Sequence, residues 1–307
     1  MMKWNKLGLV FRPDRDIDWA VSHATCPTPI QLPNGCWRVF FASRDANNRS
    51  HVGWFDINLD DPTAGVRAID KPLLAPGPLG NFDGNGIYST AVVPLGGDRL
   101  RLYTIGWNPG HRTPLFYAAI GAAESPDMGE TIDWRSKAPI LDRSEHDPAT
   151  VTGPWVLLEH GKFRMWYVSG LGWDERPEGL KSVYHIKYAE SDDGLSWVRR
   201  GQVAIDFASP DELNIARPCI LPGPAGYEAW FSYGSGGGYR IGYGRSRDGI
   251  VFDRAVEDPS VIEPSSEHFE NEAVCHPVVV RHKGKRFMFY NGNRFGIDGV
   301  ALAVKSE

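Results

Sequence analysis

Asp83, Glu212 and Glu272 are the carboxylates whose positions best suit chemistry, because each stands a few residues ahead of an apolar strand in a different part of the chain. A hydrolase of the two-carboxylate kind needs one acid ionised, as base or nucleophile. It needs the other held protonated by an apolar or anionic setting. Asp83 lies in Phe82-Asp83-Gly84-Asn85-Gly86, where glycines allow the backbone to approach a ligand closely. A solvated loop would accommodate each of the three acids equally well. Arg217 adjoins a strand that reads as buried. It therefore either orients an acid or clamps an anionic ligand. His23 and His276 are candidate acids, bases or ligands of a divalent metal, with a satisfied core histidine as the alternative for each.

A second set of polar residues follows the aromatic strands: Arg44 and Asp45, Trp107 and Asn108, Trp173, Tyr233, and Asn291 with Asn293. Aromatic faces interleaved with Asn, Asp and Arg suit a sugar, whose C–H face stacks on a ring while its hydroxyls meet planar polar groups. Ordinary packing between strands is the alternative for Trp107 and Trp173.

These residues must be positioned by a repeat. Strand openings recur at Pro27, Ser89, Pro154, Pro218 and Pro277, a spacing of roughly 60 residues with several strands per unit, which predicts a β-propeller. An aromatic strand follows each opening, as in Trp37–Phe41 and Phe163–Tyr167, and a third strand follows that. Three third strands run into Ser-x-Asp turns with a glycine: Ser125–Gly129, Ser191–Gly194 and Ser246–Gly249. Those acids read as turn formers and the aromatics Trp197 and Phe252 behind them as packing between blades. The expectation is an all-β, five-bladed β-propeller occupying residues 1–307 as a single domain. Leu7–Phe11 would close the ring by completing the last blade.

Composition narrows the function. The 307 residues carry a net charge of −5 and no long basic run, which argues against nucleic acid as a partner. No apolar run is long enough to span a membrane, and the N-terminus lacks an apolar signal region, which points to the cytoplasm. Cys26, Cys36, Cys219 and Cys275 match no zinc spacing. Three of them sit at strand openings, either as small buried residues or as a thiolate or metal site with His23 and His276.

The chain resembles the five-bladed propeller carbohydrate-active enzymes: the family 43 and family 32 glycoside hydrolases and related glycoside phosphorylases. The resemblance is closer still to a bacterial group of that superfamily to which little function is assigned. Its pattern is carried by His23–Pro29, Ser43-Arg44-Asp45, Phe82–Gly86, Ile105–Asn108, Met165–Gly170 and Tyr290–Asn293. The resemblance implies a glycosidase-like enzyme acting on a sugar or oligosaccharide at the central channel mouth. No cofactor is required, with a divalent metal near the axis as an option. Family 43 enzymes place acids where this chain has Cys26, Tyr88 and Thr152, while His276 matches their axial histidine. Either the acids have moved to Asp83, Glu212 and Glu272, or the chemistry differs. The alternatives are a lyase, cyclase or isomerase using His23, His276 and Cys26, and a non-catalytic glycan-binding propeller. Oligomeric state is left open.

Overall fold

The computed structural model describes residues 3–177, 179–234, 238–255 and 261–306. After β1 (Asn5–Phe11) come β2 (Ser22–Gln31), β3 (Trp37–Arg44), β4 (Ser50–Ile57) and β5 (Arg67–Ala68). They are followed by β6 (Ile87–Gly96), β7 (Arg99–Pro109), β8 (Phe116–Ser125) and β9 (Asp133–Trp134). The next group is β10 (Thr150–Glu159), β11 (Lys162–Arg176), β12 (Gly179–Ser191) and β13 (Val198–Ile205). Then come β14 (Asn214–Gly223), β15 (Gly226–Gly234), β16 (Arg240–Ser246) and β17 (Asp253–Ala255). The last group is β18 (Cys275–His282), β19 (Lys285–Asn291), the one-turn α1 (Asn293–Gly296) and β20 (Val300–Ser306).

The protein is all-β and propeller-type. β2–β5 and β6–β9 are antiparallel four-stranded sheets, and β18, β19, β20 and β1 form a third. β10–β13 and β14–β17 join into one eight-stranded sheet through a single parallel pair, Tyr184 with Asn214. The N-terminal strand pairs with the C-terminal one, Asn5 opposite Val304 and Phe11 opposite Val300. The strands that open each group pack on one another in a cycle: β2 on β6, β6 on β10, β10 on β14, β14 on β18, and β18 on β2.

Each strand predicted from the repeat is present. The aromatic second strands are buried on both faces: Phe40, Phe41, Tyr103, Trp166, Tyr167, Trp230, Phe231, Phe289 and Tyr290 are at most 2% exposed. Burying one such side chain contributes about 1.5–3 kcal/mol, so these rows hold neighbouring sheets together. The Ser-x-Asp turns act as latches. Ser191 Oγ accepts the Gly194 N–H at 2.8 Å, and Ser246 Oγ accepts that of Gly249 at 2.9 Å. An arginine from the preceding group of strands then donates to the turn: Arg38 to Met128 O, Arg101 to Asp193 O, and Arg164 to Asp248 O. Trp197 meets Tyr103 edge-on across the same boundary, with centroids 6.0 Å apart.

Candidate functional site

The opening strand of every group carries a register irregularity just where the sequence places its proline or the equivalent serine. It falls between Thr25 and Thr28, Ser89 and Ala91, Thr152 and Trp155, Ala216 and Cys219, and Cys275 and Val278. In four of them the residue before proline is left-handed: Cys26 (φ 56°), Gly153 (φ 51°), Arg217 (φ 50°) and His276 (φ 54°). Glycine accepts that conformation freely. For the other three, a left-handed backbone costs on the order of 1–3 kcal/mol, more so before proline. Bulges of this kind re-aim a side chain.

Arg217, 2% exposed, reaches across the cycle. It donates to Thr90 O, and its Nη2 bonds Pro27 O and Thr28 Oγ1, both at 2.8 Å. Its partners are carbonyls and a hydroxyl rather than a carboxylate. Burial pulls its pKa down, partly offset by Cys26 and Cys219. His276 Nδ1 lies 3.0 Å from Asn291 Oδ1, 3.2 Å from Thr25 Oγ1 and 3.9 Å from Cys26 Sγ. Asn291 Nδ2 donates to Ala24 O and Gly299 O, which fixes the amide orientation and makes Oδ1 the acceptor. His276 Nδ1 therefore carries the proton of that bond. Burial raises the Cys26 thiol, but His276, Arg217 and Thr25 outweigh it and leave the thiol at about 7. His276 moves well upward, as Cys26 and Cys275 overcome its burial. The thiol and the imidazole thus each favour the charged form of the other.

Phe295 stacks over the His276 ring, interplanar angle 19°, and lines a cavity of about 830 Å³. Aromatic rings wall this space: Tyr88, Trp107, Phe116, Trp173, Tyr239 and Phe295. Polar groups face it from Arg44, Asn48, Asn85, Lys181 and Asn214. Trp107 is held by its Nε1–H bond to Ser50 Oγ (2.9 Å), and Trp173 by an edge contact with Phe116 at 5.4 Å. Tyr184 and Tyr239 share a hydrogen bond between their hydroxyls at the wall.

Of the residues singled out from sequence, Arg44, Trp107 and Trp173 line this cavity together. So do Tyr88 and Thr152, two of the positions that hold acids in family 43. Asn108 donates to Asn81 O (2.8 Å) and so tethers the loop that bears Asp83. Asp45 closes its own turn, accepting from the Asn47 and Arg49 N–H groups and from His51 Nε2. Tyr233 lies under the Arg254 guanidinium. Asn293 Oδ1 takes the N–H groups of Glu272 and Ala273. His23 bonds Ser22 Oγ through Nδ1, and burial followed by the Arg44 charge holds it at about 4.

The three acids do not meet in one cavity. Asp83 is 4% exposed beside Gly77 and Gly106, with Oδ1 unpartnered and its pKa raised by burial. Glu212 is clamped by Arg254 at 2.5 and 2.8 Å and opens on a pocket with Phe207 and Ser209. Glu272 is exposed, on a third pocket with Arg15 and Arg294. Among the described residues no group of three or more His, Cys, Asp or Glu side chains could hold a metal ion. The thiol and imidazole at His276, without a carboxylate, do not fit the oxygen-rich cradle of a hard divalent cation. Among the described residues no helix is long and apolar enough to cross a membrane. Lys181, Tyr239 and Phe295 were not singled out from sequence.

The chain is 35% identical over 306 residues to two Mycobacterium tuberculosis proteins, Uncharacterized protein MT1551 and Uncharacterized protein Rv1502, covering 99% of this chain and of each of them. It belongs to their family. No protein-family profile matches the chain. Among solved structures, a glycoside hydrolase shares its fold with a TM-score of 0.77 at 16% identity, over 99% of this chain and 92% of the other. A thermostable family-43 glycoside hydrolase gives 0.68 at 13% identity, over 94% and 90%. A structure from the family of mannoside phosphorylases that contains hydrolases of β-1,2 mannosidic linkages in Candida mannan gives 0.70 at 13%, over 99% and 94%. At these identities the shared property is the fold, which in these neighbours is the glycoside hydrolase propeller.

Proposed function

We propose that the chain is a glycosidase-like, carbohydrate-active protein that takes a sugar or glycoconjugate into the cavity between Trp107 and Trp173. The cavity carries this reading. Its roughly 830 Å³ is the size of a small-molecule site. Its aromatic walls and the amides of Asn48, Asn85 and Asn214 supply both stacking and hydroxyl recognition. The fold it sits in is read as a single five-bladed propeller over residues 1–307, its ring closed by β1. The cyclic packing of the opening strands and the β1–β20 pair support that. A cytoplasmic setting suits four free cysteines.

For catalysis, Asp83 is the proposed general acid. Burial favours its protonated form, and its loop delivers Asn85 to the cavity wall. Glu272 or Glu212 is the proposed second carboxylate. A two-carboxylate mechanism needs the pair roughly 5–10 Å apart, and these acids open on separate pockets. That, with no carboxylate among the described cavity-lining residues, favours a second reading: binding without glycoside cleavage, or chemistry by other groups.

Two sets of variants separate these. Trp107→Ala and Trp173→Ala should each weaken sugar binding about tenfold by calorimetry, and unchanged affinity in both removes the cavity from the function. Asp83→Asn and Glu272→Gln should each abolish turnover while keeping binding. Full turnover in both rejects carboxylate cleavage.

A further inference from the structure

Two cations of the cavity stand apart from other arginines of this protein. Arg38, Arg101, Arg164 and Arg254 are each paired with a carboxylate within 3.2 Å. Arg44, half-buried on the cavity wall, has no carboxylate partner among the described residues. Its Nη1 donates to Asn48 Oδ1 (2.9 Å) and its Nη2 to Tyr88 Oη (3.4 Å), and its buried Nε has no partner. Lys181 faces the same cavity from another sheet, also without a carboxylate partner among the described residues. Asp174 stands opposite it across β11 and β12, but that carboxylate is taken by Arg176 Nε at 2.7 Å. No Asp or Glu lines the cavity among the described residues. Among the described residues the wall therefore carries positive charge from two sheets and no Asp or Glu to balance it. Each Nη of Arg44 spends one N–H on these bonds and keeps another for a ligand, and a half-buried guanidinium without a counter-charge is costly.

We propose that the cavity selects a sugar bearing an anionic group, a phosphate or a carboxylate, with Arg44 and Lys181 gripping that group while the sugar ring stacks on Trp107. The selectivity rests on the sugar-binding reading above and names its substrate class. A guanidinium with free N–H groups suits the two or three oxygens of such an anion, and an ammonium adds a point charge. Neutral sugars would leave both cations uncompensated.

The test is an array carrying neutral hexoses and oligosaccharides, the matching hexose 1-phosphates and the matching uronic acids, followed by calorimetry on what binds. The proposal expects a phosphorylated or carboxylated sugar to bind at least tenfold tighter than its neutral parent. That advantage should shrink as salt rises. Phosphate against uronate on the same array tells which anion is meant. Lys181→Gln and Arg44→Gln should each remove most of the preference, with melting temperature checking that the fold is intact. Equal or better binding of neutral sugars overturns the anionic selectivity while leaving a sugar site. No binding of any sugar overturns both.

Discussion

Cys26 is a buried ionisable group set between two cations. His276 and Arg217 both lie within its electrostatic reach, and its backbone N–H is fixed by Asn291 Oδ1 at 3.0 Å. Burial alone would keep a thiol neutral. The two cations reverse that, so the thiolate should form above about pH 7 and be lost below it. The ultraviolet absorbance of the thiolate, taken as a difference between the protein and Cys26→Ser, should titrate near neutrality. In His276→Asn the midpoint should climb toward or beyond the ordinary thiol value of about 8.5. An unmoved midpoint would show that His276 does not charge the thiol. Residue type made part of this region legible. Tryptophans followed by Asn, Gly and charge are uncommon inside a packed blade, and Trp107, Trp173 and Arg44 do reach the cavity. Asp83, Glu212 and Glu272 could not be sorted that way, because a carboxylate before a strand looks the same whether it faces an axis, an arginine or solvent. Phe295 reaches the cavity from a turn in which Arg294 and Phe295 both adopt left-handed backbone (φ 50° and 62°), which no residue type there announces.

At the scale of elements, the turns after the third strands matter as much as the strands. Gly194 has φ 70° and its Cα faces Arg101 and Tyr103 of the preceding sheet. A methyl group there would collide with Arg101 Nη1 and Tyr103 Oη and would be strained by the backbone. Gly194→Ala should therefore destabilise the protein by about 1–3 kcal/mol, read as a lower denaturant midpoint. The same change at Gly96, which has open space around its Cβ position, would cost only its own backbone strain and gives the control. Equal losses at both sites would remove the latch. The strands and these turns were legible because each repeat states them in its own residues: proline opening, aromatic row, Ser-x-Asp turn. The joining of β12 to β14 was not legible, since one parallel pair, Tyr184 with Asn214, leaves no pattern of its own.

At the scale of the whole molecule, β1 is the edge strand of the sheet built from β18, β19 and β20. Phe11 packs on Phe41 and stacks on Phe55 of another sheet at 4.3 Å. Deleting residues 1–12 strips a strand from one sheet and an aromatic from the interface with the next. The truncated protein should melt lower, and cooperatively, in calorimetry. Melting that matches the intact chain would mean β1 is an ornament on a structure complete without it. The pairing of Asn5 with Val304 also sets an order of events during synthesis. β1 is made before any of β2–β19, and its hydrogen-bonding partner β20 only after all of them. Until β20 is made, the unpaired edge of β1 and Phe11 must be kept from other chains, so crowding by nascent neighbours or a shortage of chaperones should harm this protein's yield more than its finished stability would suggest.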